Sequence, residues 1–172
     1  MLEALILVIF PFCMVYAAVS DMITMTIANR VSVLLVATFL VVAPLTGMPL
    51  AVIGMHVAAA AVVLCVTFTL FAFGTMGGGD AKLLAATALW MGFGMPLAEY
   101  IVVGAAWGGT LTLTILAYRN SPISDVTGNF VLLRNFADRR VGVPYGIALG
   151  AAGLMVFPSS PMGAWAMQSL IR

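Results

Sequence analysis

Two aspartates in this 172-residue chain stand where carboxylates can do chemistry. Asp21 follows the apolar run 2–19, and Asp80 follows three glycines in the stretch FGTMGGGDAKLL, residues 73–84. Two carboxylates within hydrogen-bond range cannot both ionise easily, so they share one proton and divide the roles of acid and base. Such a pair can activate water against a peptide carbonyl. Asp21 and Asp80 are therefore candidates for a catalytic dyad.

The glycines before Asp80 suit this use. Residues 77–79 permit positive φ angles and leave no side chains over the backbone, so that an extended substrate can approach Asp80. Because Asp80 precedes an apolar run, we expect it at or near the N-cap of a helix, whose dipole would orient the carboxylate. The same string also fits an ordinary flexible turn and cap. Lys82 either orients the dyad or anchors the chain at a membrane surface.

The other four acidic residues have simpler explanations. Asp125 and Asp138 lie beside arginines in a polar stretch, which is typical of solvated surface charge. Glu3 and Glu99 are placed near the starts of predicted helices, where the helix dipole favours a negative charge. Only Asp21 and Asp80 remain without a sufficient structural explanation.

The composition is that of an integral membrane protein. The chain is 63% hydrophobic and 8% charged, with a mean hydropathy of +1.17, whereas soluble domains are about 45–50% apolar and about 25% charged. No basic tract suggests nucleic-acid binding. Cys13 and Cys65 lie inside apolar runs without a C-x-x-C pair, so neither a disulfide nor a zinc site is expected. Residues 1–20 lack a basic n-region, which favours a retained first helix over a cleaved leader.

We expect an all-α membrane fold, because hydrocarbon does not tolerate unpaired backbone groups. A spanning helix needs about 20 mostly apolar residues. The sequence predicts one transmembrane domain over residues 1–172, with a polar cytoplasmic loop at about 119–142 and six spans at about 2–19, 31–43, 50–73, 81–93, 97–118 and 143–157.

Lysine and arginine predict the orientation, since they concentrate on the cytoplasmic side. Six spans put six of the seven cations on one side and leave Arg172 alone on the other; the six are Arg30, Lys82, Arg119, Arg134, Arg139 and Arg140. Both termini are then expected outside, and Asp21 and Asp80 at one depth near the cytoplasmic surface. We expect the protein to be embedded in the lipid bilayer. The 119–142 loop is expected either to lie along the lipid headgroups or to form a docking surface for substrate.

Other functions remain open at this point. Intramembrane acids often mark proton or cation pathways, so a small carrier is one alternative. Carriers usually bind near the midplane, whereas these aspartates flank the ends of apolar runs. A pilus-assembly subunit without catalysis is another alternative. His56, the only histidine, is expected to pack inside the bundle rather than to bind a metal.

Three motifs resemble those of the type IV prepilin peptidases, the bacterial aspartic proteases that remove leader peptides from pilin precursors. GGGDAKLL is similar to the family's G-x-G-D-x-K signature, SDMITMTIANRVS (20–32) to its first aspartate region, and VGVPYGIALGAAGL (141–154) to the start of its last helix. The resemblance implies that Asp21 and Asp80 are catalytic, that Gly77 and Gly79 are motif glycines, and that Lys82, Asn29 and Arg30 support the site.

The resemblance also implies a function. The substrate would be a prepilin whose basic leader is cleaved at the cytoplasmic face of the bacterial inner membrane, without a cofactor. Ala28 stands where the family commonly has proline, so a looser turn is expected after Asp21. The chain lacks the cysteine-bearing cytoplasmic insert of larger members, so no methyltransferase activity is expected. This small form is similar to the peptidases of tight-adherence (Flp-type) pili. A presenilin-like protease, which shares a Gly-x-Gly-Asp element, is the alternative within proteases.

Overall fold

The computed structural model describes residues 1–127, 130 and 133–171, and it is helical, with no strand in those residues. This confirms the all-α prediction. A 3-10 turn at Phe157–Ser159 separates the last two helices. In chain order the helices are α1 Leu2–Thr24, α2 Asn29–Leu45, α3 Leu50–Ala72, α4 Gly78–Met91, α5 Met95–Arg119, α6 Ile123–Thr127, α7 Arg134–Ala137, α8 Tyr145–Val156 and α9 Pro161–Ile171.

Three helices, α1, α3 and α5, are long and apolar enough to cross a bilayer. The pair formed by α8 with its 3-10 turn and α9, bent by 54°, makes a fourth candidate span. With 17 and 14 residues, α2 and α4 are shorter, and α4 extends only about 21 Å at 1.5 Å per residue, against a hydrocarbon core of about 30 Å. Six spans and external termini therefore stay predictions.

One predicted helix end is wrong. We expected Ser20 and Asp21 to close the first helix, but α1 continues to Thr24 and ends where Met25 adopts a left-handed conformation with φ of 54°. Pattern alone could not place this end, since apolar residues continue after Asp21. The sixth predicted span, at about 143–157, agrees with α8 to within two residues, and the backbone then turns through the 3-10 segment into α9.

At the centre of the bundle lies α4. Its residues are buried almost continuously from Ala81 to Met91, and it contacts α2, α3, α5, α8 and α9. A helix that is apolar all round must be covered on every side, and the alanines of α4 let its neighbours approach closely. This central helix carries Asp80 in its first turn.

Three glycines on one face of α8 set its distance from α1. A Cβ at Gly150 would lie 2.7 Å from the carbonyl oxygen of Met14, and one at Gly153 would lie 2.7 Å from the Met14 sulfur. At Gly146 a Cβ would lie 2.8 Å from the Cβ of Asp21. The small residues thus bring the first turn of α8 directly against Asp21.

The remaining charged residues mostly follow expectation. Glu3 lies in the first turn of α1 and pairs with the terminal amine at 3.0 Å. Glu99 does not open the fifth helix, because α5 begins at Met95 and its first turn holds no acid. Asp138 is exposed, as predicted for a solvated charge. The predictions for the Asp125 side chain and for Arg172 lie outside the described residues.

Candidate active site

A cavity of about 660 Å³ opens at the end of the bundle where α1 ends and α4 begins. Three segments form it: the end of α1, the link from α3 to α4, and the chain that enters α8. Both candidate aspartates line this cavity, together with Met25, Gly74, Thr75, Met76, Gly77, Val141, Gly142, Val143 and Tyr145. The fold therefore brings the carboxylates of two distant motifs into one volume.

Asp21 is held by the start of α8. Its side chain is 5% exposed, and its Oδ2 accepts a 2.7 Å hydrogen bond from the backbone N–H of Gly146. The first N–H groups of a helix have no partner within that helix, and the dipole makes this end favourable for a carboxylate. This hydrogen bond fixes the orientation of the Asp21 carboxyl group against the first turn of α8.

The glycines before Asp80 act differently from our expectation. Gly77 is the N-cap of α4, and the helix already includes Gly78 and Gly79, so Asp80 is its third residue, which agrees with the expected position near the N-cap. None of the three has a positive φ; the left-handed turn falls earlier, at Gly74, with φ of +72°. The predicted conformational role of residues 77–79 is therefore wrong.

These glycines instead permit close packing. A Cβ at Gly79 would lie 3.1 Å from the Cβ of Ile27, in the turn that follows α1. A Cβ at Gly77 would lie 2.8 Å from Oδ2 of Asp80. Without these side chains, the turn after α1 lies against α4 and the Asp80 carboxylate folds back over the N-cap. The two motifs can approach each other for this reason.

The environment of Asp80 favours its protonated form. Asp80 lies in the first turn of α4, outside the candidate spanning helices. Burial and, secondarily, the negative charge of Asp21 raise the pKa of Asp80 to about 7, although a hydrogen bond from the backbone of Gly77 opposes the shift. Two carboxyl groups near each other, one of which exchanges its proton close to neutral pH, can act together as acid and base.

A direct contact joins the other supporting residues of the two motifs. The Lys82 ammonium donates a 3.0 Å hydrogen bond to Oδ1 of Asn29, the first residue of α2. Lys82 follows Asp80 by two residues, and Asn29 stands just after the turn that begins near Asp21. The bond therefore ties α4 to α2 beside the cavity. Arg30 is exposed at the start of α2 and does not line the cavity.

The turn after Asp21 is held by hydroxyl groups. Ser20 Oγ donates to the carbonyl oxygen of Thr26 at 2.9 Å, and Thr24 Oγ1 donates to the carbonyl oxygen of Ser20 at 2.8 Å. Ala28, at the position where a proline was expected, has φ of −63° and ψ of 132°. That φ lies within the range to which a proline ring is restricted.

Several residues at the cavity were not chosen from the sequence. Gly146 supplies the N–H bound to Asp21, and Tyr145 beside it lines the cavity and shares a 3.1 Å hydrogen bond with Thr112. Asn135 donates to the backbone oxygens of Met22 and Ile23 at 3.1 and 2.8 Å, next to Asp21. The VPYG motif was the only available signal for Gly146, whereas nothing in the local sequence marks Asn135.

Comparison with protein families gives one decisive result. A profile described as the type IV leader peptidase family matches residues 8–118. The chain belongs to the type IV leader peptidase family. This confirms the resemblance to the prepilin peptidases. The matched residues include Asp21, Asp80 and the glycines before Asp80, but not the VPYG segment. No curated protein and no solved structure gave a match to this chain.

Family membership and geometry point to the same chemistry. A member of this family is a peptidase, and the cavity holds two carboxyl groups and has room for a peptide segment with water. The apolar helices indicate that the peptidase is a membrane protein.

Proposed function

We propose that this chain is an aspartic endopeptidase that removes the leader peptide from type IV prepilins, with Asp21 and Asp80 as its water-activating dyad. The observation that carries the proposal is that both carboxylates line a single cavity although they come from separate motifs. Membership in a leader peptidase family favours this function over a carrier, an assembly subunit or a presenilin-like protease. Asn29, Arg30, Lys82, Gly77 and Gly79 support the site in this proposal.

In the proposed mechanism the dyad holds one proton, and Asp80, with its raised pKa, carries it in the resting enzyme. Asp21 takes a proton from water while Asp80 donates its proton to the carbonyl oxygen of the scissile peptide. The resulting gem-diol collapses when Asp21 returns its proton to the leaving nitrogen and Asp80 recovers its proton from a diol hydroxyl. The water is thus divided between the two products, and the dyad is restored.

The proposed substrates are Flp-type prepilins and related pseudopilins, because the segment between α5 and α8 carries no cysteine-bearing insert, as in the small peptidases of tight-adherence pili that the sequence resembles. The proposed site faces the cytoplasm at the bacterial inner membrane, the side to which six of the seven cations were assigned. In this arrangement a basic leader reaches the cavity from the cytosol, and the hydrophobic helix of the pilin stays in the bilayer.

The central experiment coexpresses each variant with a Flp-type pilin precursor and follows the gel mobility of the pilin. Asp21→Asn and Asp80→Asn should each abolish processing while the protein still inserts in the membrane, because an amide cannot exchange the shared proton. Asp138→Asn is the matched control, since Asp138 is an exposed carboxylate outside the cavity, and should process normally. Near-normal processing by either cavity variant would remove that aspartate from the dyad.

The pH profile is a second measurement of the same proposal. As pH rises through about 7, Asp80 in the free enzyme loses the proton that the mechanism requires, so kcat/KM should fall on the alkaline side of that value. The free energy of unfolding should change in the same direction, because the folded protein binds the Asp80 proton more tightly than the unfolded chain does. The contribution of this proton to the free energy of unfolding is complete below about pH 4 and is lost as pH rises through about 7. A constant kcat/KM between about pH 6 and about pH 9 would contradict the role assigned to Asp80.

A further inference from the structure

Arg119, the last residue of α5, is buried although it is charged, with 9% of its surface exposed. Its guanidinium donates four hydrogen bonds, all to backbone carbonyl oxygens. Nε donates to Phe136 at 2.8 Å, and Nη2 lies 3.3 Å from Asn135, 3.0 Å from Val141 and 3.1 Å from Gly142. One side chain therefore holds both ends of the segment 135–142.

Arginine is well suited to this task. Its planar guanidinium carries five donors in a fixed fork, so it can bind several carbonyl groups at once, which the compact ammonium of lysine cannot do with the same geometry. The contact is reciprocal, because Arg139 Nη2 donates at 2.8 Å to the carbonyl oxygen of Arg119, which ends α5. The segment and the end of α5 are thereby bound to each other from both sides.

The segment held by Arg119 reaches the cavity at two places. At its start, the Asn135 side chain binds the carbonyl groups of Met22 and Ile23, directly after Asp21. At its end, Val141 and Gly142 form part of the cavity wall. Arg119 itself is not among the residues that line the cavity, so it can act on the site only through this segment.

We propose that Arg119 is a positioning residue that holds the 135–142 segment and thereby fixes Val141 and Gly142 as a substrate-binding wall of the cavity. Its enzymatic consequence rests on the proposed peptidase function, but its structural consequence does not. Because Asp21 and Asp80 are carried by α1 and α4, we expect loss of Arg119 to leave the two carboxyl groups in place and to loosen the wall that Val141 and Gly142 form. Substrate binding should therefore weaken more than bond cleavage slows.

The structural test measures the accessibility of the wall without substrate. Val141→Cys places a thiol of nearly the same size at a half-buried position of the wall, in a chain where the exposed Cys65 is replaced by alanine. Adding Arg119→Gln should raise the rate at which a maleimide labels residue 141 severalfold, and Arg119→Lys should give an intermediate rate. Arg140→Gln, an exposed arginine of the same segment, is the matched control and should leave the rate unchanged.

Native Cys13, which is buried in α1, reports the integrity of the bundle in the same sample by peptide mass spectrometry. Faster labelling at residue 141 with Cys13 still protected supports the proposal. An unchanged rate at residue 141 overturns it. Labelling of Cys13 in parallel with residue 141, in both Arg119 variants, also overturns it, because Arg119 would then stabilise the whole fold rather than the wall.

The kinetic test uses a prepilin peptide with the native cysteines in place. Arg119→Lys should raise KM about tenfold, with kcat reduced less than about threefold, as expected when binding rather than the transition state alone is weakened. Equal losses in kcat and kcat/KM would contradict the binding role. If the parent enzyme does not cleave prepilin, the proposed function fails, and the labelling result still decides whether Arg119 holds the segment.

Discussion

The buried polar groups at the two ends of α4 have different surroundings. At its C-terminal end, Nδ1 of the buried His56 lies 2.7 Å from the carbonyl oxygen of Leu89, and the His56 ring stacks on Phe39 with centroids 5.2 Å apart. The nearby Trp90 indole N–H donates to the carbonyl oxygen of Leu35 at 3.1 Å. At its N-terminal end, Asp80 instead faces a cavity that it shares with a second carboxyl group.

This difference distinguishes polar groups that stabilise the fold from polar groups that are available for function. Polar groups at the C-terminal end bind backbone carbonyl groups within close packing, which is how most buried polar groups are satisfied. A Cβ at Gly92, where φ is +67°, would lie 2.7 Å from the His56 ring, so the packing around His56 is tight. The carboxyl groups at the other end face open volume, and the pKa of Asp80 is raised there, a combination typical of functional sites.

After the loss of activity in the two aspartate variants, the largest effect is expected from Gly146→Ala, at the cavity end. The new Cβ would lie 2.8 Å from the Cβ and 2.9 Å from Oδ2 of Asp21, so α8 must move away and displace the carboxylate or its N–H donor. A displacement of about 1 Å can cost about 100-fold in rate, and we expect a loss of kcat of that size. Gly109→Ala in α5 is the control, because a Cβ there meets nothing within 4 Å.

Kinetics of prepilin cleavage with the purified variants measure this effect. Activity of Gly146→Ala close to that of Gly109→Ala would show that the contact between α8 and Asp21 does not matter for catalysis. The contrast between the two ends of α4 would then depend on Asp80 alone.

The next effect is expected at the other end of α4. His56→Leu removes the partner of the Leu89 carbonyl oxygen, and leaving a buried group without its hydrogen bond costs about 1–3 kcal/mol. We expect the free energy of unfolding to fall by that amount, while kcat per folded molecule is unchanged. Denaturant unfolding in detergent and single-substrate kinetics measure the two quantities. A loss of kcat without a loss of stability would place His56 in the catalytic apparatus and remove the contrast.

A smaller effect is expected where the motifs touch. Lys82→Met and Asn29→Ala each remove the 3.0 Å bond between α4 and α2, and an exposed hydrogen bond to a charged group is worth at most about 1.5–3 kcal/mol. We expect a several-fold loss of activity in each single variant and little further loss in the double variant. A double-mutant cycle on kcat/KM measures this coupling. Additive losses would indicate that the two side chains act independently.

The sequence predicted the helical class, the family and the pair of aspartates, because each rests on a local pattern. Composition predicts helices in a membrane, and the spacing of glycine, aspartate and lysine around Asp80 carries the motif. The family match confirms the family, and the cavity places Asp21 and Asp80 together. Their catalytic role remains a prediction.

The parts that could not be predicted depend on contacts between distant segments. Neither the long α1 nor the helical Gly78 and Gly79 could be inferred, since α1 ends at a left-handed Met25 and these glycines pack close to Ile27. The role of Arg119 is also invisible in sequence, because its partners lie 16 to 23 positions away and are backbone carbonyl groups, which carry no sequence signature.

The smallest effect concerns the turn after Asp21, where an alanine suggested a looser chain. Ala28 already has φ of −63°, and among the described residues no hydrogen bond outside the helices uses its N–H as donor. Ala28→Pro therefore matches the native backbone, and it should stabilise the fold by about 0.4–1 kcal/mol by restricting the unfolded chain. Thermal unfolding measures this gain, and prepilin cleavage should be unchanged because Ala28 does not line the cavity. Destabilisation by the proline would mean that this turn needs conformations other than the extended one, and the link from Asp21 to α2 would then be a moving part of the site rather than a fixed support.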